Sequence, residues 1–304
     1  MLSLDVLTPG PDDRVRLRSN LILLRRDEHE LQLGFDASDA VVVADPDRAL
    51  QRLLELMDGR CRRRDLGTAA ARLGVSTDRF DAVVDALAAA GLLQPPTPQP
   101  ADLGVRLIGL GPVGTRIGEQ LLGAGVGRLL LVDPDGATPA FGCFPGDERV
   151  QWAGHWSEPA DGLDLTLVVG SCLEVDRAIT TGLAHAGHPH LLVRPRAGGA
   201  VVGPLVLPGR TSCLGCSDLA RTRVDPAWPR LLAQLCRIRA NWDPLAADWA
   251  AAVATTQALA HLAGRTVETA SATVELGPDA WSWQRRVWSA DPACGCCWTS
   301  RAEW

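Results

Sequence analysis

The sequence predicts an α/β chain of two modules. A winged-helix-like α+β domain comes first, and a Rossmann-like domain with a structural zinc site follows. Three observations predict this. The stretch Gln94–Pro100 (QPPTPQP) holds four prolines in seven residues, which neither a helix nor a central strand accommodates. Beyond it, an apolar strand pattern runs into Gly109-x-Gly111-x-x-Gly114 and then a helix pattern. Two cysteine pairs far apart in the chain have metal-knuckle spacing. The expected boundaries are residues 1–94, a linker at 95–101, and residues 102–304.

In the front module, Val15, Leu17 and Leu21–Leu24 read as one strand, Glu30–Phe35 as a second and Ala40–Val43 as a third. Asp45-Pro46 starts a helix whose Leu50, Leu53, Leu54 and Met57 repeat at helical spacing, and Asp58-Gly59 ends it. A second helix is expected near Arg64–Leu73. A third starts at the N-cap Ser76, carries Phe80, Val83, Val84 and Leu87, and ends at Gly91. A winged helix often reads nucleic acid. Here the third helix carries Asp78, Asp81 and Asp85 against Arg79 alone, which a phosphate surface would repel, so no nucleic-acid partner is expected.

In the back module, Gly104–Leu110 reads as a buried strand, followed by a helix through Gly123, a strand over Arg128–Val132, and Asp133. That acid lies 19 residues past the last glycine of the loop, near the spacing of about 20 that a dinucleotide fold uses. Asp164–Val169 and His190–Val193 add strands, with a helix near Glu174–Ala186 between them. Trp281 and Trp283 alternate on a further strand, with Trp288 on the returning arm; sheet packing is the expected role for most of the tryptophans. Two roles for the loop glycines stay open: residual nucleotide binding, or helix–strand packing alone.

Composition narrows the chemistry. All 30 basic residues are arginine, so Schiff-base and Walker-lysine mechanisms are excluded. The apolar share is 46%, enough for a packed core. No apolar run approaches the roughly 18–20 residues that span a bilayer. The N-terminus has no basic region before an apolar one, so a cytoplasmic protein without membrane partners is expected. Nine cysteines, an odd number, argue for thiolate or metal chemistry over a disulfide framework.

Cys213-Leu-Gly-Cys216 offers two thiolates from one turn. Cys294-Gly-Cys296-Cys297 offers either Cys294 with Cys296 or Cys294 with Cys297. Two such knuckles joined by folding make a closed, structural zinc site. Cys61, Cys143, Cys172 and Cys236 read as small core residues. No catalytic residue is assigned.

Residues 14–94 resemble the PqqD-like recognition element that binds leader peptides of ribosomally made natural products. The likeness is carried by the order of elements, LLELMDGR at Leu53–Arg60 and ALAAAGLL at Ala86–Leu93. It implies that a peptide adds to the third strand, Ala40, Val41, Val42 and Val43, beside a third helix presenting Phe80 and Val84. Residues 102–298 resemble the ThiF/MoeB-type adenylating family, related to ubiquitin-activating enzymes, through the glycine loop, the pair Asp133 and Asp135, and the cysteine pairs. The resemblance implies a nucleotide site at Gly109, Gly111, Gly114, Asp133 and Asp135, with ATP as its ligand. Three departures oppose ATP chemistry. Phe144 stands where the family has a phosphate-binding arginine, the family lysine has no counterpart, and Cys172 stands near the magnesium aspartate, with Asp176 four residues late. Each lost charge-handling group costs about 10²–10³ in rate, so the nucleotide site reads as vestigial. GRTSCLGCSDLARTRVDPAWPRLLAQL at Gly209–Leu235 and DPACGCCW at Asp291–Trp298 are similar to the ThiF-like partner proteins of thiazole/oxazole-modified microcin clusters. That likeness favours Cys296 as fourth ligand. It also implies a non-catalytic adaptor, a YcaO cyclodehydratase partner and a homodimer.

Overall fold

The computed structural model describes residues 8–18, 21–27, 29–34, 41–44, 47–94, 100–134, 144–159, 161–278 and 282–296. The chain divides into two compact units, Met1–Thr97 and Pro98–Trp304. Among the described residues, no helix is long and apolar enough to cross a membrane.

The front unit has strands β1 (Arg14–Arg16), β2 (Leu23–Arg25), β3 (Glu30–Leu33), β4 (Val41–Ala44) and β5 (Asp58–Arg62), with helices α1 (Arg48–Leu56), α2 (Arg63–Arg72) and α3 (Thr77–Ala89). Strands β2, β3 and β4 form an antiparallel sheet in that order. Two expectations are corrected. The first predicted strand splits: Val15 belongs to β1, which pairs with β5 in a separate two-stranded sheet. Asp58-Gly59 ends no helix but opens β5, because Arg14–Arg16 supplies the partner strand, a long-range effect that local pattern does not carry. Helix α1 starts at Asp47, whose carboxylate accepts from the Leu50 amide at 2.7 Å. The core joins Val15, Leu33, Leu53, Leu66, Phe80 and Val84.

The back unit is built on one eight-stranded sheet. Its strands are β6 (Gly104–Ile108), β7 (Arg128–Val132), β8 (Val150–Trp152), β9 (Leu165–Val169), β10 (His190–Arg196), β11 (Gly199–Val206), β12 (Ala272–Leu276) and β13 (Trp283–Val287). The order is β13-β12-β11-β10-β9-β6-β7-β8. From β8 to β10 the strands are parallel, and β10 to β13 pair antiparallel. The helices are α4 (Pro112–Gly123), α5 (Arg177–His185), α6 (Leu214–Val224), α7 (Trp228–Leu235) and α8 (Pro244–Leu262). Strands β6 and β9 are buried along their whole length, apolar except for Arg106 and Thr166, which pair through a 3.1 Å hydrogen bond, as strands covered on both faces require. The alanines of α8 (Ala246, Ala250, Ala254 and Ala258) are buried in the core with Leu107, Leu165 and Leu191. The chain leaves β6 toward β7 and β8, then returns to β9 on the other side of β6. The glycine loop therefore sits at a switch point, where open sheets form ligand crevices.

Strand β11 (GAVVGPLV) has no counterpart among the expected elements. Its internal glycine and proline speak against a central strand. At Gly203, with φ +98°, a Cβ would lie 2.4 Å from the Ala272 carbonyl oxygen, so glycine there lets β12 approach.

Candidate metal centre and the glycine loop

Strand β11 delivers the chain to Cys213, the residue before α6, and Cys216 follows one turn into that helix. The short helical turn Pro292–Cys294 brings the C-terminal knuckle alongside. The thiol sulfurs of Cys213, Cys216, Cys294 and Cys296 all lie within 4.8 Å of one another. Cys213 is 3.5 Å from Cys294, Cys216 is 3.4 Å from Cys296, and Cys213 is 4.0 Å from Cys216. A tetrahedral zinc with Zn–S bonds of about 2.3 Å places its sulfurs about 3.8 Å apart, so spacing and donor chemistry both fit such an ion. Cys297 lies outside the described residues.

The surroundings support a thiolate cluster. Burial pushes the Cys216 thiol up, but backbone amides, that of Asp291 at 3.3 Å first among them, outweigh it and lower its pKa. Burial and Cys213 push Cys294 up to about 12. Four protonated thiols gain nothing from this crowding, whereas a cation makes it favourable. Gly215 sits between the two α6 ligands, and a Cβ there would come within 2.8 Å of the Cys294 sulfur. The glycine of CLGC is thus a requirement of the site.

Behind α6 lies a charge cluster that the sequence did not disclose. Glu174, 3% exposed, meets Arg177 at 3.0 Å, Arg194 at 3.2 Å and Arg221 at 3.1 Å. Arg177 also grips Asp218 of α6 through two nitrogens, at 2.7 and 2.9 Å. Burial lowers the pKa of Arg194, with Glu174 opposing. Arg177 is also buried, yet Asp218 and Glu174 raise it above the ordinary arginine value. The Arg221 guanidinium lies between the rings of Trp228 and Trp288, at 4.6 and 5.0 Å. Trp288 is thereby a packing residue, as expected, whereas Trp283 is 66% exposed. Trp281 lies outside the described residues. Replacing Glu174 with alanine leaves three arginines without their shared anion. The expected loss is about 3–5 kcal/mol, read by urea unfolding; a loss near zero would mean that the cluster is solvated.

His190, the first residue of β10, is 1% exposed, and its Nδ1 lies 2.9 Å from the His188 carbonyl oxygen. Burial depresses its pKa to about 4. The unfolded imidazole takes up a proton near pH 6.5 and the folded one near 4, so stability from this residue is complete above pH 6.5 and drains away as pH falls to 4. The thermal midpoint is expected to fall less over this window in His190→Gln than in the parent; parallel profiles would refute the assignment.

At the glycine loop the three glycines separate. Gly109 has φ +88°, and a Cβ there would lie 2.1 Å from the Val169 carbonyl oxygen. A Cβ at Gly114 would lie 2.0 Å from the Gly109 carbonyl oxygen. Both are demanded by packing. Gly111 faces open space, with nothing within 4 Å of a Cβ. Packing alone therefore accounts for two of the three glycines.

The groups expected to stand in for the catalytic ones serve structure. Phe144 packs on α4, its ring 2.6 Å from where a Cβ on Gly118 would be. Asp176 caps α5, accepting from the Ala178 amide at 2.8 Å. Cys172 bridges to Arg239, and the backbone of residues 171–174 is tied to 235–240 through the Leu173 amide to Ile238 at 3.0 Å and the Ala240 amide to Ser171 at 3.1 Å. Asp133 follows β7, while Asp135 lies outside the described residues.

In the front unit, β4 is a sheet edge, paired with β3 alone among the described residues. Val42 is 41% exposed, and Val41 and Val43 pack on the core. Ala40 lies outside the described residues. Phe80 and Val84, expected to face a peptide, are instead core residues at 4% and 0% exposure, because the 3.6-residue period sets them on the inner face of α3. An edge of Phe80 still forms part of a cleft of about 560 Å³ with Pro9, Gly67 and Thr77. Two of the acids of α3, Asp81 and Asp85, face Arg63 at 2.7 and 3.7 Å.

No protein-family model and no curated protein sequence matches the chain. The fold does match solved structures. The chain is similar to E. coli MccB over nearly its whole length. The TM-score is 0.56 at 13% identity, covering 93% of this chain and 96% of MccB. An MccB structure with ATP gives 0.57 at 13% identity, covering 93% and 99%. The heterocyclase TruD gives 0.60 at 15% identity, covering 94% of this chain and 43% of that one. This chain thus spans less than half of the heterocyclase's length. At these identities the likeness is one of fold.

Proposed function

We propose that the chain is a non-catalytic adaptor in the biosynthesis of an azole- or azoline-bearing ribosomal peptide. Its front unit holds the leader of the precursor peptide, and its zinc-stapled back unit docks the YcaO cyclodehydratase that carries out the ATP-dependent chemistry. A homodimer and a cytoplasmic location accompany this reading. The observation that carries it is the tied loop at residues 171–174. Where an adenylating enzyme of this fold would hold its magnesium carboxylate, the backbone is paired to 235–240 and the nearest acid, Asp176, caps a helix. Metal and cations must neutralise the charge that develops on a triphosphate. The edge of β4, paired with β3 alone among the described residues, supports strand addition by a peptide. The solved neighbours add support: one is a heterocyclase with substrate and cofactor, and another is the microcin C7 biosynthetic enzyme MccB with N-formylated MccA.

The rival is an active adenylyltransferase in which arginines replace lysine; the open space at Gly111 favours it over a DNA-binding winged helix. ATP–pyrophosphate exchange by the purified chain with its precursor peptide separates the two. The adaptor shows no exchange above background and binds the peptide, and Val42→Asp weakens that binding about tenfold by setting a carboxylate beside the added strand. Robust exchange overturns the proposal.

A further inference from the structure

The cleft of about 560 Å³ in the front unit includes no residue of β4 in its walls. It is bounded by the arm Pro9–Pro11, by α2 through Gly67 and Thr68, and by the first turn of α3. Gly67 lies in the middle of α2. Glycine destabilises a helix interior relative to alanine, and the packing here does not demand it. Its backbone is helical, and a Cβ would lie 3.5 Å from Cε1 of Phe80, an ordinary contact. What the glycine does is leave the ring edge of Phe80 facing the cleft. The charges of the walls are matched among themselves. Arg63 pairs with Asp81 at 2.7 Å and donates to the Pro9 carbonyl at 2.7 Å, and Arg64 pairs with Asp12 at 2.6 Å. The surface left to a ligand is neutral: the Phe80 edge, the prolines and the helix at Gly67. The Thr68 hydroxyl donates to the Arg64 carbonyl at 3.1 Å, so its oxygen keeps acceptor capacity.

We infer that this cleft seats a neutral aromatic side chain of the leader peptide, outside the stretch that pairs with β4. The inference rests on the leader-binding reading. The place of the cleft supports it. Asp47, three residues past the end of β4, meets Arg79 of α3 at 2.6 Å, in the same helical turn as Thr77 and Phe80. Whichever way an added strand runs, one of its ends leaves β4 at Ala44. From there the first turn of α3 is at most about 25 Å away, a span that about eight extended residues cover. An aromatic ring suits the cleft best, because its face packs on the prolines and the Phe80 edge, and an indole N–H or phenol can donate to Thr68. A charged side chain would lose its water beside charges that already pair with one another.

The test uses the full chain and three probes: N-acetyl-tryptophan amide, N-acetyl-leucine amide and N-acetyl-glutamate amide. Binding is followed by ¹H–¹⁵N NMR shifts. The tryptophan probe is expected to shift the resonances of Gly67, Thr68 and Thr77, the leucine probe to bind about threefold more weakly, and the glutamate probe about tenfold more weakly. Gly67→Leu, which fills the floor, is expected to weaken the tryptophan probe and the precursor peptide about tenfold each. Gly67→Ala is expected to raise the urea midpoint while weakening the tryptophan probe about threefold, a gain in stability with a loss of binding that a purely structural glycine would not show. It carries the test should Gly67→Leu fail to fold. Val42→Asp leaves the tryptophan probe unaffected. Tryptophan-induced shifts only outside the cleft, equal affinity for glutamate, or precursor binding unchanged by both Gly67 variants overturns the inference while the leader reading stands. A precursor that does not bind the parent chain overturns the leader reading, and this occupant with it.

Discussion

If the four sulfurs of Cys213, Cys216, Cys294 and Cys296 hold zinc, stripping it with a chelator is expected to lower the thermal midpoint of the back unit by about 10 °C or more and to release the C-terminal knuckle. Structural zinc in small finger peptides contributes about 10–16 kcal/mol of apparent binding energy at pH 7. A larger unit with its own core loses less of its fold, and the turn at Pro292–Cys294 keeps the ion pair of Asp291 with Arg223 of α6. The sulfurs that tie it to α6 lie 3.4 to 3.5 Å apart. Without an ion the Cys294 thiol stays protonated to about pH 12, and the cluster turns from a bond network into a crowded set of thiols. Cys213→Ser and Cys294→Ser are expected to behave like the chelated parent, with less than one metal ion per chain. An unchanged midpoint in the chelated protein would show that packing alone holds the knuckle.

The second large effect concerns the glycine loop. Gly109→Ala and Gly114→Ala are each expected to cost about 3–5 kcal/mol, because each drives a methyl group into a carbonyl oxygen and the former also forces a left-handed backbone on alanine. Gly111→Ala is expected to stay within about 1 kcal/mol, the cost of alanine at an N-cap, since open space surrounds it. Urea unfolding of the three variants gives the ranking. If Gly111→Ala proves as damaging as the others, packing explains the whole motif, and the last support for a nucleotide at this loop disappears.

Much of the back unit was legible in its residues. Strand β6, the glycine turn, α4 and β7 follow from apolar runs and turn glycines within about thirty residues of chain. The cysteine knuckles were readable for the same reason, since two ligands per knuckle come from one turn. The choice between Cys296 and Cys297 was less legible: their spacings from Cys294 both suit a knuckle, and the likeness to known partner proteins pointed to the residue that the structure seats with the other three sulfurs. Glu174 carried no local mark. A single acid between apolar residues gains meaning only when β10, α5 and α6 each bring it an arginine. Phe80 and Val84 show the opposite failure: their helical spacing was visible, but whether that stripe faced a core or a peptide was not.

The sequence alone determined strands β6, β7 and β9, the start of β10 and helices α4 and α5 of the parallel half, and that Cys213 and Cys216 share one turn. All of these depend on interactions between near neighbours in the chain. Tertiary structure decided that β1 leaves its predicted strand to join β5, that β11 carries the sheet past its parallel half, and that the two cysteine knuckles meet. Each of these depends on which distant faces bury one another, and that free energy resides in the packed whole.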